Sequence, residues 1–299
     1  LLVGTAGLSI GNAITLATNA SVGTLTIGTT GSLTDDVTFT GGVTGTNSFT
    51  ISNTVGTGKS LIFATGAIDN TGALTNTGSG AGATLISAAI GSHVTNVTEN
   101  SSTSALVLSS ASNAYTGTTV ITAGTLKLGA AGVIPDGSAV TITGTLDLAG
   151  YSETVGSIAG AGTITSSATG TPVLTVGGAN TSTSFTGVIQ NGSATSVGLV
   201  KTGSGTLTIG GSSNSTYTGG TTIKAGTVQI ATNSAALGTG GVTLGDTSGS
   251  NAASLLVSST GLTVANAISL ATGTSGTLTV GSTGSIASVT YSGGLTGSN

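Results

Sequence analysis

The stretches Gly124-Thr125-Leu126-Lys127-Leu128 and Gly144-Thr145-Leu146-Asp147-Leu148 share one pattern: a glycine, followed by polar and aliphatic residues in alternation. An apolar period of two is typical of a β-strand that buries one face. The same Gly-Thr-aliphatic unit returns at Gly162, Gly205 and Gly226. Neighbouring copies lie about 20 residues (144 minus 124), about 18 (162 minus 144) and about 21 (226 minus 205) apart. Such intervals are typical of the coils of a solenoid.

The composition favours a solenoid over a closed antiparallel fold. The chain has no Trp or Met, four Phe, four Tyr and 53 Gly, and its one Asn-Gly dipeptide is Asn191-Gly192. A β-sandwich or barrel normally needs hairpin turns and larger core residues, because its sheets pack about 10 Å apart. Small aliphatic residues suit the narrow core of a coil, and strand-crossover-strand units are almost always right-handed. The sequence therefore predicts an all-β fold, a right-handed parallel β-helix (β-solenoid).

A second, longer repeat relates the two ends of the sequence, since residues 255–299 repeat residues 1–47. Asn12-Ala13-Ile14-Thr15-Leu16-Ala17-Thr18 returns as Asn266-Ala267-Ile268-Ser269-Leu270-Ala271-Thr272, and Leu1-Leu2-Val3 returns as Leu255-Leu256-Val257. The period is about 254 residues (255 minus 1). We therefore expect residues 1–299 to be a single continuous β-helix segment of a longer tandem-repeat protein.

The composition argues against several classes of protein: disordered, membrane-spanning and nucleic-acid-binding. Hydrophobic residues make up 37% of the chain and the mean hydropathy is +0.46, whereas disordered chains lack the aliphatic residues that bury a core. No apolar run approaches the roughly 20 residues that span a membrane as a helix, so we expect no membrane-spanning segment within these 299 residues. The net charge is −4, and the four lysines, which are Lys59, Lys127, Lys201 and Lys224, are scattered without any Arg. This pattern argues against nucleic-acid binding, which needs clustered basic groups.

One kind of segment resembles a known family. Asn214-Ser215-Thr216-Tyr217-Thr218-Gly219-Gly220-Thr221-Thr222-Ile223-Lys224-Ala225-Gly226-Thr227-Val228 has a second copy in Asn113-Ala114-Tyr115-Thr116-Gly117-Thr118-Thr119-Val120-Ile121-Thr122-Ala123-Gly124-Thr125-Leu126. Both resemble the passenger-associated, or autotransporter-associated, β-strand repeat, and the resemblance covers Ser109–Gly129 and Gly198–Asp246. It implies a bacterial origin, export to the cell surface and a β-helical stalk.

The acidic residues offer little for catalysis. They are Asp35, Asp36, Asp69, Glu99, Asp136, Asp147, Glu153 and Asp246. Some β-helix enzymes cleave polysaccharides with clustered carboxylates, an Arg or Lys base and often calcium. This chain has no Arg. Only Asp35 and Asp36 are adjacent, and the second copy of the long repeat has Ala287-Ser288 there. A solvated turn is therefore favoured for this pair over a calcium or catalytic site.

The remaining candidates also have a structural interpretation. His93 is the only histidine, and it is interpreted as a surface residue rather than as the acid-base partner of the nearby Glu99. Tyr115 and Tyr217 occupy the same place in the two family-like copies, where they either staple a corner or form a sugar-stacking platform, and we favour the staple. Gly203-Ser204-Gly205 lacks the Gly-Lys-Ser/Thr ending of a phosphate loop.

Thr-aliphatic-Thr units, such as Thr206-Leu207-Thr208 and Thr277-Leu278-Thr279, suggest ladders of hydroxyl groups on the outside of the coils. Flat Thr arrays resemble the ice-binding face of some β-solenoids. Thr is also a favourable strand residue in its own right. Because ice binding needs a constant coil length and the intervals here vary, we favour the structural role.

The sequence therefore predicts a structural repeat segment of a long extracellular bacterial fibre or surface protein, serving as stalk, filament or matrix. An adhesin passenger that binds host or carbohydrate ligands is the alternative, and a polysaccharide-active enzyme is a second one. We expect no enzyme activity, no catalytic, cofactor-binding or metal residues, and no cofactor. The expected partners are further copies of the same repeat, with neighbouring fibres and cell-surface glycans as further candidates. The expected location is the bacterial cell surface.

Overall fold

The computed structural model of the protein describes residues 1–18 and 24–297. In those two ranges the chain consists of short β-strands, turns and extended segments, and it contains no helix. None of the described segments could therefore cross a membrane as an apolar helix. The chain forms two compact units, Leu1–Asp147 and Leu148–Asn299.

The strands of the first unit are short because glycine and polar residues interrupt the alternating runs. They are β1 (Leu2–Val3), β2 (Ser9–Ile10), β3 (Ile14–Leu16), β4 (Leu25–Thr29), β5 (Val37–Phe39), β6 (Val43–Gly45), β7 (Phe49–Ser52), β8 (Ser60–Phe63), β9 (Gly72–Asn76), β10 (Ala83–Ile86), β11 (Val94–Asn100), β12 (Leu106–Leu108), β13 (Thr119–Ala123), β14 (Thr125–Leu128), β15 (Ala139–Ile142) and β16 (Thr145–Asp147).

These strands stack as the faces of a parallel β-solenoid. One sheet has the order β1-β4-β7-β9-β11-β13-β15, and the next has the order β2-β5-β8-β10-β12-β14-β16. A third face contains the parallel pair β3 and β6, followed by bridges from Val43 to Ile68 and from Ile68 to Ile90. Each successive coil thus adds one strand to each of the first two faces and pairs with the coil before it.

The second unit repeats this architecture. Its strands are β17 (Glu153–Val155), β18 (Ser157–Gly160), β19 (Thr163–Thr165), β20 (Val173–Val176), β21 (Thr183–Phe185), β22 (Val188–Ile189), β23 (Gly198–Lys201), β24 (Thr206–Ile209), β25 (Thr221–Ile223), β26 (Gly226–Ile230), β27 (Val242–Leu244), β28 (Ala253–Val257), β29 (Leu262–Val264), β30 (Ile268–Leu270), β31 (Leu278–Ser282), β32 (Val289–Tyr291) and β33 (Leu295–Thr296).

Parallel pairing in the second unit also builds three faces. The first has the order β18-β21-β24-β26-β28-β31 and the second the order β17-β20-β23-β25-β27-β30-β33. The pairs β19–β22 and β29–β32 lie on the remaining face, which corresponds to the face of β2 and β5 in the first unit. Together with the first unit, this arrangement confirms the predicted all-β parallel solenoid, while its right-handed sense stays a prediction from the crossover rule.

Copies of the Gly-Thr-aliphatic unit pair in register, as the sequence predicts. Thr125 lies opposite Thr145, and Thr206 lies opposite Thr227. Other coils are longer than the predicted 18 to 21 residues, and Ser9 pairs with Thr38, 29 residues later (38 minus 9). Added length between paired strands costs little conformational entropy.

The two copies of the long repeat fold alike. Strands β2, β3, β4, β5 and β6 of the first copy correspond to β29, β30, β31, β32 and β33 of the second. For example, Ile14–Leu16 and Ile268–Leu270 are both strands and are 254 residues apart (268 minus 14). The parts of the repeat at residues 19–23 and 298–299 lie outside the described residues. The expectation of one continuous segment within a longer protein stays a prediction.

Apolar side chains fill the interior of each unit. Phe39 and Phe63 stack inside the first unit with ring centroids 5.2 Å apart and planes 17° apart. Aliphatic ladders continue along the faces, for example where Ile27 pairs with Ile51, both of them buried. The expected aliphatic interior is confirmed for most positions, but buried polar residues, including Glu99 and Lys201, depart from it.

Candidate functional site

Most charged side chains join one coil to the next. Ion pairs link Lys59 to Asp35 at 2.9 Å, Lys127 to Asp147 at 3.8 Å and Lys224 to Asp246 at 3.9 Å, and a side-chain contact of 2.9 Å links His93 to Asp69. The partners in each pair are 20 to 24 residues apart in sequence, which is one coil. These pairs are exposed at one end or both, so each contributes little to stability. Their placement indicates a structural rather than a chemical role.

Asp35 and Asp36 lie at a turn, as the sequence predicts. Asp35 is exposed, and its pKa is lowered by the hydrogen bond from the Lys59 ammonium. The Asp36 carboxylate accepts a hydrogen bond of 2.7 Å from the backbone N–H of Ser60 in the next coil. Both carboxylates therefore hold adjacent coils together. No group of three or more His, Cys, Asp or Glu residues suited to a metal occurs in residues 1–18 and 24–297.

His93 lies at the surface and pairs with Asp69 rather than with Glu99. Its Nδ1 is 2.9 Å from Oδ2 of Asp69, and its backbone N–H donates to Oδ1 of the same residue. This contact holds the pKa of Asp69 below its usual value. Glu99 is buried and hydrogen-bonded elsewhere, so the structure does not assemble the acid-base pair.

Tyr115 and Tyr217 are buried corner residues. The Tyr115 hydroxyl lies 2.7 Å from the Thr119 hydroxyl, and the Tyr217 hydroxyl lies 2.6 Å from that of Thr221. Because both rings are enclosed, neither offers a face on which a sugar could stack. The structure thus confirms the staple and rules out the sugar platform at these two positions.

A buried carboxyl group is the first feature that the sequence did not indicate. One Glu99 oxygen accepts a hydrogen bond of 2.7 Å from the Asn76 amide, and the other accepts one of 2.7 Å from the backbone N–H of Ser101. Burial raises the pKa of Glu99 to about 8, although these N–H groups and that of Leu106 act in the opposite direction. Glu99 therefore belongs to the interior of its coil and is closed to large solutes.

A buried ammonium group is the second such feature. Lys201 is 1% exposed, and its Nζ donates to the carbonyl oxygens of Thr202 at 2.6 Å, Gly203 at 2.8 Å and Ala225 at 3.2 Å. We call these three oxygens the carbonyl cage. Three acceptors match the three N–H bonds of an ammonium group, whereas burial lowers the pKa of Lys201 to about 8. Alternation could have revealed this residue, because a period of two places Lys201 on the inward face with Leu199.

With the geometry described, comparison with known families adds one result. Residues 101–128 and 199–230 match the family of the passenger-associated-transport-repeat. The two matched segments together cover about a fifth of the chain (60 of 299 residues), and we refer to them as the first and second transport repeats. They include the segments whose resemblance the sequence indicated. Comparison with curated proteins and with solved structures finds no match.

Ionisable groups of opposite type lie at corresponding positions: Lys201 lies inside the second transport repeat, and Glu99 lies two residues before the first. Glu99 pairs with Ile121, and Lys201 pairs with Ile223, so each lies one coil before the equivalent isoleucine of its repeat. The glycine that follows, Gly124 or Gly226, packs over the group: a Cβ added there would lie 3.3 Å from Oε1 of Glu99 or 2.9 Å from Nζ of Lys201. The position thus accepts either an acid or a base.

The outside of the second transport repeat carries a shallow pocket. It has a volume of about 410 Å³ and is lined by Asn180, Gly203, Ser204, Ala225, Gly226, Thr227, Asn251, Ala252 and Ser254. Gly203 and Ala225 therefore contribute both to this pocket and to the carbonyl cage. The lining combines small apolar residues with hydroxyl and amide groups and contains no charged side chain.

Passenger-associated transport repeats on a parallel β-solenoid fit the passenger domain of an autotransporter. Passengers of that class are secreted and displayed at the cell surface. The family also suggests a structural role for this chain. The absence of enzyme activity stays a prediction.

Proposed function

We propose that this chain is a structural segment of a long extracellular bacterial surface protein, in which it serves as stalk or fibre. The observation that carries the proposal is that both copies of the long repeat fold into the same order of strands. A unit that recurs with its fold intact is suited to tandem extension, because each coil of a solenoid is stabilised by its nearest neighbours.

The contacts that side chains make between coils, and the residues on the outer surface, support this role. Ion pairs connect one coil to the next, and the buried tyrosines staple corners. The outer row of one face of the second unit runs through Thr154, Thr175, Val200, Thr222 and Thr243 in register. A surface of small, mostly hydroxyl-bearing residues with few charges is suited to a hydrated stalk.

The proposal is tested on the native protein in its source cells. An antibody against the chain should label intact cells, and brief protease treatment of those cells should remove the signal. Negative-stain electron microscopy of the released protein should show rods or filaments far longer than one 299-residue segment. Labelling that requires permeabilised cells, or short discrete particles, would contradict it.

Adhesion through glycans is a second candidate, favoured by the polar pocket of about 410 Å³ in the second unit. Its hydroxyl and amide groups could hydrogen-bond a sugar residue. Binding of the full chain to a glycan array should then be lost on Asn251→Ala and kept on Asn113→Ala, an asparagine outside the pocket. No glycan binding, or equal binding by both variants, would leave the stalk as the better description.

A further inference from the structure

The carbonyl cage around Lys201 has the geometry of a cation site. Three backbone oxygens, from Thr202, Gly203 and Ala225, lie 2.6 to 3.2 Å from one nitrogen atom. These are the distances of ordinary N–H···O hydrogen bonds. Two oxygens come from the turn after β23 and the third from the next coil, so the ammonium group ties the two coils together.

We infer that the carbonyl cage is a binding site for a small monovalent cation, which the chain occupies with its own Lys201 ammonium group. Three converging carbonyl oxygens repel one another unless a cation or a set of donors lies between them. No carboxylate faces Nζ among its hydrogen-bond partners, so the backbone dipoles alone supply the negative potential. Carbonyl oxygens of this kind can replace the hydration shell of a monovalent cation.

The buried Glu99, two residues before the first transport repeat, supports this inference with the opposite kind of group. At the corresponding position the Glu99 carboxyl is surrounded by donors, the Asn76 amide and the Ser101 N–H. Carbonyl oxygens thus face the donor side chain of Lys201, whereas N–H groups from the Asn76 side chain and the Ser101 backbone face the acceptor oxygens of Glu99. Lys201 is thus matched to the cage rather than being a surface lysine that happens to be covered.

A small solute could reach the cage from outside. Gly203 and Ala225 line the surface pocket of about 410 Å³, and their carbonyl oxygens belong to the cage. Two of the three residues whose carbonyl groups form the cage therefore also line the surface pocket. A cation of ammonium size should occupy the cage when the lysine side chain is shortened.

The test compares three variants of the full chain at pH 7, with amide hydrogen exchange measured over residues 198–230. Lys201→Ala removes the ammonium and leaves space, Lys201→Met removes the charge but fills the space, and Lys224→Ala removes an exposed lysine of the same repeat. Each protein is measured in ammonium chloride and in tetramethylammonium chloride at equal ionic strength. The second cation is larger and has no N–H donor.

We expect exchange about tenfold faster or more in both Lys201 variants, because buried carbonyls lose their donors, and little change in Lys224→Ala. Ammonium, relative to tetramethylammonium, should slow exchange in Lys201→Ala alone. Wild-type exchange in Lys201→Met would overturn the inference, as would equal effects of the two salts on Lys201→Ala. If Lys201→Ala folds only in a salt solution, its refolding yield becomes the readout, and equal yields in both salts, including none in either, would also overturn it.

Discussion

At the scale of single residues, the ionisable groups of the interior determine how the fold responds to pH. Burial raises the pKa of Glu99 from 4.5 to about 8 and lowers that of Lys201 from 10.5 to about 8. The two groups lie in different units. Proton binding in the folded state is therefore favoured at Glu99 and disfavoured at Lys201.

The first prediction is that Glu99→Gln removes a pH dependence from the stability of the chain. Because the folded pKa of Glu99 lies above its unfolded value of 4.5, its contribution to stability is fully present below pH 4.5. That contribution falls as the pH rises through about 8. The denaturation midpoint of the wild type, relative to that of Glu99→Gln, should therefore decrease from pH 5 to pH 9, as followed by circular dichroism in denaturant.

Asp136→Asn is the control for that experiment, since Asp136 is exposed on the same unit. Its midpoint should follow the wild type across the whole pH range. A constant difference between the wild type and Glu99→Gln from pH 5 to pH 9 would show that Glu99 keeps one protonation state in the folded and unfolded chain.

The second prediction concerns the buried tyrosine of the second transport repeat. Tyr217→Phe deletes the hydroxyl that lies 2.6 Å from the Thr221 hydroxyl and leaves the latter buried without that partner. We expect a loss of about 1 kcal/mol in the free energy of unfolding, measured by denaturant titration. Tyr151→Phe, at a residue that is 41% exposed, should change it by much less, and equal effects would argue against the staple.

At the scale of elements, the turn between adjacent strands is set by close backbone contact. Gly124 joins β13 to β14 with φ +66°, and a Cβ there would collide with the Ser101 carbonyl oxygen of the preceding coil. Gly226 starts β26 with φ +70° and would collide with the carbonyl oxygens of Gly203 and Gly205. Glycine is therefore required here for space as well as for conformation.

The third prediction separates these two reasons. Gly132 has φ +65°, and a Cβ added there would meet open space. Gly124 has φ +66°, but a Cβ added there would collide with the Ser101 carbonyl oxygen. Gly132→Ala should cost about 1–2 kcal/mol from the left-handed conformation alone. Gly124→Ala should cost at least about twice as much, because the coils must separate, and equal unfolding free energies for both variants would contradict the close contact.

Sequence reasoning predicted the repeated element well because alternation and glycine spacing are local signals. The Gly-Thr-aliphatic unit revealed paired strands at Thr125 and Thr145, and the place of Tyr115 and Tyr217 indicated a corner. Coil lengths were less predictable, because turns absorb extra residues without changing the register of the strands. Glu99 and Lys201 were not foreseen. Alternation places Lys201 on the inward face with Leu199, but the hydrogen-bond partners that neighbouring coils supply to Lys201 and Glu99 are not visible in the sequence.

At the scale of the whole molecule, parallel stacking of coils is the claim on which the other interpretations depend. In the first unit, Thr26, Thr50, Thr75 and Thr98 form one row, with each residue opposite the next in register. The hydroxyl oxygens of Thr26 and Thr50 are 3.1 Å apart. Parallel strands lie about 4.8 Å apart, so distances between residues of this row measure the spacing of successive coils.

The measurement that tests this claim most directly uses pairs of spin labels in the full chain, which has no native Cys. Thr26→Cys is combined in turn with Thr50→Cys, Thr75→Cys and Thr98→Cys, and label separations are measured by electron paramagnetic resonance. The solenoid predicts separations that increase by about 4.8 Å with each coil. Separations that fail to rise in this order would contradict a parallel β-solenoid and the structural role proposed from it.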